Sequence, residues 1–290
     1  MAIKKYTRNY AGMFPDIFKK KARFLRAFGG TIEIVDGITN SDIYMDLKIS
    51  NDVDAVLQEY NTGDNVAFGT GTGSSNRFGE RKEIKSTNKQ VPFLSPLAIH
   101  EGVDNFTVND VPDQVIAERL AKHAEAWTEK FSRIASKELS DQASETLSAA
   151  LTEDGITKLF ATAHKKFVNN NVSPDIAWVA YVTADVYNLL VDSKLATTAK
   201  KSSANIDDNN LYKFKGFILE EYPDVYFQSG EQVIFAADGV GQLGLGVEVV
   251  RALDSEDFNG IALQGAGKPA KYLPDKNKKA ILKAQIAPAG

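Results

Sequence analysis

The longest unbroken period in the 290-residue chain limits what it can fold into. From residue 109 to about residue 151, apolar side chains recur three or four positions apart: Ile116, Leu120, Ala124, Trp127, Phe131, Ile134, Ala135, Leu139, Ala143, Leu147 and Leu151. That spacing is one face of an amphipathic helix. Asn109 or Asp110 can cap its start, Pro112 fits a first turn whose amide is spare, and Asp113 suits the positive end of the helix dipole. After Pro112 neither Gly nor Pro intervenes before Gly155. At 1.5 Å per residue the helix would span roughly 60 Å, more than the core of an ordinary domain requires. Something extended must lie along it.

The sequence before this helix supplies an extended element. TIEIV and DIYMDLKI alternate like strands, with Ile43, Met45, Leu47 and Ile49 on one face. Between residues 63 and 79 the chain reads GDNVAFGTGTGSSNRFG, too poor in bulky residues to bury a core. A second extended run, RKEIKSTNKQVPFLSPLAI, follows with Arg81, Lys82, Lys85 and Lys89. Two arms joined by such a tip make a long hairpin expected to project away from its own core, and reaching onto a neighbouring subunit would explain its length. The tip is not a phosphate loop. Ser74 and Asn76 stand where the dinucleotide fingerprint needs its last glycine, and Pro269 after Gly267-Lys268 breaks the ATP-type pattern.

Charge switches sign along the N-terminal region. Residues 1–30 carry eight Lys or Arg against one Asp, whereas residues 31–64 carry eight Asp or Glu against one Lys. A basic arm lying against an acidic partner explains this, as does a plain solvated basic helix. Residues 14–28 place Phe14, Ile17, Phe18, Ala22, Leu25 and Phe28 at helical spacing, ended by Gly29-Gly30. The overall charge of −4 argues against a dedicated nucleic-acid binder, and 43% hydrophobic residues suit a folded chain. With no cysteine, disulfides, thiolate metal sites and cysteine nucleophiles are excluded. No signal peptide or run of about 18 apolar residues is present, so no membrane partner is expected.

After the long helix, ITKLFATAHKKFVNN predicts another helix, residues 176–182 a buried strand, and Asp185 the start of a short helix. Residues 197–210 read as a polar loop, and strands are expected over 212–220 and 232–237. DGVGQLGLG reads as a glycine-rich turn before a strand at 247–253, and PDKN as the turn of a closing hairpin between KYL and AILKAQI. The order of elements gives an α+β fold. His100, His123 and His164 lack metal-ligand spacing, the acidic clusters lack the calcium-loop pattern, and no G-x-S-x-G elbow occurs. No catalytic, cofactor or metal site is expected.

The stretches GTGTGSSNRFGERKEI, EGVDNFTVND, NNNVSPDIAWVAYVTADVYNLL, FKGFILEEYP and DFNGIALQG, in this order, resemble the tailed-bacteriophage major capsid proteins of the Hong Kong 97-like fold. The similarity is greatest to those of siphophages of Gram-positive hosts. It implies an N-terminal arm (1–43), an extension loop (44–105), a peripheral domain (106–155 and 247–290) built on the long helix, and an axial domain (156–246). It further implies a structural protein forming pentamers and hexamers that close into an icosahedral shell around double-stranded DNA, bound without sequence specificity. The location would be the virion, after assembly in the host bacterial cytoplasm. Contacts between subunits would fall on Phe68, Gly69, Gly71, Gly73, Arg77, Phe78, Arg81 and Lys82 of the loop tip, and on Lys19, Lys20, Lys21, Arg23 and Arg26 of the arm. A portal protein is an expected partner, as is a separate scaffolding protein, since only about 40 residues precede the hairpin. Some relatives cross-link a loop lysine to a neighbour's asparagine; Lys82, Lys85 and Lys89 have a suitable place, but no acceptor matches.

Two other readings compete. An encapsulin-type nanocompartment shares the fold but encloses a cargo enzyme. A monomeric α+β binding or carbohydrate-processing protein would need paired carboxylates on a groove and leaves the overlong hairpin unexplained.

Overall fold

The computed structural model describes residues 23–36, 43–50, 57–64, 66–68, 76–81, 83–106, 112–193, 204–205 and 210–287. In chain order these form β1 (Ile32–Asp36), β2 (Ile43–Ser50), β3 (Ser86–Pro92), β4 (Leu97–Asp104), α1 (Pro112–Gln142), β5 (Glu145–Ala150), α2 (Glu153–Asn169), β6 (Trp178–Val182) and α3 (Ala184–Val191). Then come β7 (Ala204–Asn205), β8 (Asn210–Leu211), β9 (Lys213–Phe214), β10 (Phe217–Glu221), β11 (Glu231–Ala237), β12 (Gln242–Asp254), β13 (Gly260–Tyr272) and β14 (Ile281–Ala287). The α+β class is as expected. Two compact units result: Ile43–Pro92, and a body made of the remainder.

The body holds two sheets, and α1 contacts strands of both. One has the order β1-β12-β13-β4, antiparallel except where β1 runs parallel to β12. The other has the order β5-β14-β11-β6-β10-β9, with β5 parallel to β14 and β6 parallel to β10. The five residues of β6, WVAYV, are all buried, as a central strand covered on both faces must be. On one face Phe160 of α2 meets Phe217 and Phe235 edge-on; on the other, Tyr181 packs against Phe24. Close packing sets small residues in β13: a β-carbon on Gly267 would crowd Trp127 of α1 and the Gly246 carbonyl.

The apolar stripe of α1 lies where expected, with Ile116, Ala124, Trp127, Phe131, Ala135 and Leu139 buried. Its end does not. The helix stops at Gln142 after 31 residues, about 46 Å, and the next six residues are β5. Leu147 and Leu151 fit a helical period, but the exposed edge of β14 offers a complete hydrogen-bond ladder. Ser144 donates from both N and Oγ to the Ile281 carbonyl, and Leu147 then pairs with Ala284. Tertiary pairing overrides local periodicity here.

Other expectations shift for similar reasons. The segment 275–280 is a 3-10 helix, and β13 and β14 join different sheets rather than one closing hairpin. The 212–220 strand is folded into a tight β9–β10 turn, where Lys215 and Gly216 take positive φ values of 47° and 92°. Gln242–Gly246, read as a glycine-rich turn, extends β12 and pairs with β1 and β13. Of the 14–28 helix, the described part is a 3-10 turn, Leu25–Phe28, ended by Gly29 in the left-handed conformation. The sequence range 44–105 covers two structures: the separate unit Ile43–Pro92, and β4, which belongs to the four-stranded sheet of the body.

Candidate functional site

The Ile43–Pro92 unit begins as a two-stranded sheet in which β2 and β3 pair from Ile43/Pro92 to Ser50/Ser86. Such a pair alone is marginal in water. β3 is correspondingly open, with Val91 its single buried residue. Beyond the strands, Gln58 and Glu80 clasp the two arms: the Gln58 amide donates to the Glu80 carbonyl and its oxygen accepts from the Glu80 N–H. Gly79, at φ 79°, lies where any β-carbon would collide with the Gln58 side chain.

Arg77 organises the described part of the tip. Its Nε donates to the Val66 carbonyl at 2.9 Å, Nη2 to the Gly63 carbonyl at 3.3 Å, and its own carbonyl accepts from the Asn61 N–H. The guanidinium lies 5.0 Å from the Phe68 ring centre and 6.0 Å from that of Tyr60, while Tyr60 meets Phe78 edge-on at 5.2 Å. Yet Phe68 and Phe78 are each 78% exposed and Leu57 fully so. An ordered backbone thus holds large apolar side chains in solvent. Arg81 is exposed. Gly69, Gly71, Gly73 and Lys82 lie outside the described residues.

Arg23 and Arg26, the expected contacts of the arm, engage their own chain. Phe24 is buried in a left-handed conformation (φ 63°) against Tyr181, Tyr222 and Phe227. The hydroxyls of Tyr222 and Tyr181 accept from the Phe24 and Ala27 N–H groups, and Ser132 accepts from that of Arg23. Burial, with the Glu220 carboxylate nearby, pushes the Tyr222 phenol pKa up, keeping it neutral as it donates to Glu220 at 2.6 Å. The Arg26 guanidinium pairs with Asp238 at 3.1 Å, and that of Arg23 lies 5.0 Å from the Tyr222 ring centre. Lys19, Lys20 and Lys21 lie outside the described residues.

A second stripe on α1 went unread in the sequence: Thr128, Ser132, Ser136 and Ser140, each four residues from the last and all buried. Being small, they let other backbone come close, and each hydroxyl donates. Thr128 and Ser132 bond back to the i−4 carbonyl, Ser136 to the Tyr226 carbonyl, and Ser140 to Glu231 at 2.7 Å. Lys283 of β14 also reaches Glu231, at 2.8 Å, and Lys271 of β13 pairs with Glu138. The C-terminal part of α1 is therefore pinned to both sheets. Near its other end, Glu101 of β4 accepts from Arg119 and contacts His123 at 3.0 Å; the Arg119 hydrogen bonds lower its carboxyl pKa to about 2.

The three histidines lie in separate settings. His123 is buried against Glu101, His164 stacks edge-on with Trp178, and His100 lies beside Gln264 on an exposed sheet face. Among the described residues no group of three His, Asp or Glu side chains is placed to hold a metal ion. Nor is any described helix long and apolar enough to cross a membrane.

No protein-family model and no curated protein sequence matches the chain. Solved structures do. The capsid of cyanophage P-SCSP1u aligns over 100% of this chain and 90% of its own, with 10% identity and a TM-score of 0.64. The mature capsid of bacteriophage PhiM1 aligns over 92% and 87%, with 11% identity and a TM-score of 0.62. A virus-like particle from Pyrococcus furiosus aligns over 96% and 100%, with 14% identity and a TM-score of 0.51. The chain has the fold of bacteriophage capsid subunits, with both sheets and the long helix inside the matched region.

Proposed function

We propose that the protein is a major capsid protein, a structural subunit that assembles as pentamers and hexamers into an icosahedral shell around double-stranded DNA. The observation that carries this reading is the pairing of a capsid fold over nearly the full chain with a separate unit that holds Phe68 and Phe78 in solvent on an Arg77 frame. In that shell Phe68, Arg77, Phe78 and Arg81, with Gly69, Gly71, Gly73 and Lys82, form the contact with an adjacent subunit. Lys19, Lys20 and Lys21 supply the arm's contact, while Arg23 and Arg26 anchor the arm in its own body. Many modest interfaces, each repeated by symmetry, then stabilise a closed particle. The proposed domain roles are arm 1–43, an extension loop within 44–105 that the separate unit limits to Ile43–Pro92, peripheral domain 106–155 with 247–290, and axial domain 156–246. A separate scaffolding protein and a portal protein complete the partners, with assembly in the host cytoplasm and no enzymatic step.

The likeness to a virus-like particle supports one other reading, an encapsulin-type compartment. Negative-stain microscopy and light scattering of the purified protein, alone and with a scaffold candidate, test the shell. Closed particles, sheets or rings are expected, and a permanently monomeric protein would refute it. Nucleic acid rather than cargo protein inside isolated particles separates the two readings.

A further inference from the structure

One edge of the six-stranded sheet collects cations. There β6, β10 and β14 begin and β11 ends, since Trp178 pairs with Phe217 and with Ala237, and Ala236 with Ile281. The loops that meet at this edge are therefore the β9–β10 turn, the 3-10 helix before β14, the chain from the end of α2 to β6, and the turn after β11. They bring Lys215, Lys276 and Lys279, all exposed, together with Lys278. Four carboxylates share the edge: Asp238 is paired with Arg26, Asp275 with Lys278, Glu145 at the start of β5 with Lys166, and Asp175 is exposed. The opposite edge, where β6 and β10 end and β11 begins, carries Asp185, Glu221, Asp224 and Glu231, the last paired with Lys283, while Glu220 shares Arg26 with Asp238. A chain of net charge −4 thus keeps a locally basic edge on this sheet.

The basic edge is also concave. A cleft of about 240 Å³ is lined by Asn170, Asn171, Ser173, Asn277, Lys276 and Lys279, besides Asp238 and the apolar Val172, Ile176 and Val240. Its walls are tied: the Asn170 amide donates to the Lys279 carbonyl, the Asn277 amide to the Val240 carbonyl, and the Trp178 indole to the Ser173 carbonyl. Trp178 stacks edge-on with His164, over which Gly216 of the lysine-bearing turn lies closely, so cleft and turn form one surface. The cleft falls below the size of pockets for drug-sized ligands. Neutral amide and hydroxyl donors beside two lysines suit a single phosphate group presented by a larger polyanion.

We infer that this edge is a phosphodiester-binding surface through which each subunit holds double-stranded DNA by its backbone, without reading its sequence. The identity of the polyanion rests on the shell reading; the anion chemistry does not. Phosphate contacts release condensed counterions, so they are counted by the salt dependence of binding. The test uses the full-length unassembled protein, a short random-sequence DNA duplex and a salt series. It compares wild type with Lys215→Gln/Lys276→Gln/Lys279→Gln and with the corresponding triple Glu variant, each checked for an unchanged thermal melt. The glutamine variant is expected to bind more weakly, with a plot of log affinity against log salt shallower by about 2.7, roughly 0.9 per lost contact. The glutamate variant should be weaker still. Wild-type affinity and slope in both variants would overturn the inference. So would a glutamine variant that binds DNA normally yet fails to close particles, because the edge would then be a subunit interface. Particle formation by the wild type is read separately by microscopy; its failure would remove the shell reading while leaving the salt slopes to judge the anion surface.

Discussion

The body and the Ile43–Pro92 unit treat the same residue types in opposite ways. In the body, Phe24, Phe131, Phe160, Phe167, Phe217 and Phe235 are essentially inaccessible to solvent and touch one another or other rings, Phe131 at a tilt to Trp127 and the others edge-on. In the smaller unit, Phe68, Phe78 and Ile84 stand in solvent, and the order around them comes from Arg77, Gln58 and Gly79. The body folds by burying its own surface. The hairpin unit is ordered locally while its large apolar side chains stay exposed. Stability and assembly should therefore be separable by mutation.

The largest stability effect should come from the body. Phe131→Ala deletes a fully buried ring from α1 between the two sheets and is expected to lower unfolding free energy by about 3–5 kcal/mol. Denaturant unfolding should detect it, with the proton spectrum of the hairpin unit unaltered. If the hairpin resonances shifted as far as those of the body, the two units would not be independent. Next comes Lys283→Met, which leaves the Glu231 carboxylate, 3% exposed, without its cation. A loss of about 3 kcal/mol is expected, largely restored by adding Glu231→Gln. Non-restoration would mean that packing, not charge, sets the cost. The smallest effect is acid-dependent. With its pKa lowered from about 4.5 to about 2, Glu101 stabilises the folded state fully above its unfolded value, and that contribution is lost as pH falls toward 2. The difference in melting temperature between wild type and Glu101→Gln should therefore be present near about pH 6 and vanish near about pH 2. A difference independent of pH would contradict the ion-pair account.

How far the sequence disclosed this arrangement depended on whether a signal was local. The apolar stripe of α1, buried β6 and the α2 helix were legible because each is written in a single period. The end of α1 was not, since residues 145–150 suit either helix or strand until β14 supplies a ladder from 137 positions away. The same holds for β14 itself, whose partners β5 and β11 are remote in sequence. Phe68 and Phe78 could be singled out from residue type, but the place of Arg77 beside them depends on carbonyls of Gly63 and Val66 that no motif announces. The Thr128, Ser132, Ser136, Ser140 stripe had a readable four-residue spacing. A search for apolar periodicity passes over hydroxyls, although hydroxyl-bearing small residues on a helix commonly mark close backbone approach.

The division of labour between the two units is tested most directly by deleting residues 69–79 and measuring, on one preparation, both thermal melting of the body and particle closure by sedimentation and negative-stain microscopy. The deletion removes Arg77, Phe78 and the tip but no residue of the body. The predicted result is an unchanged body melt together with complete loss of closed particles. Normal particle yield, or a body that no longer folds, would contradict it.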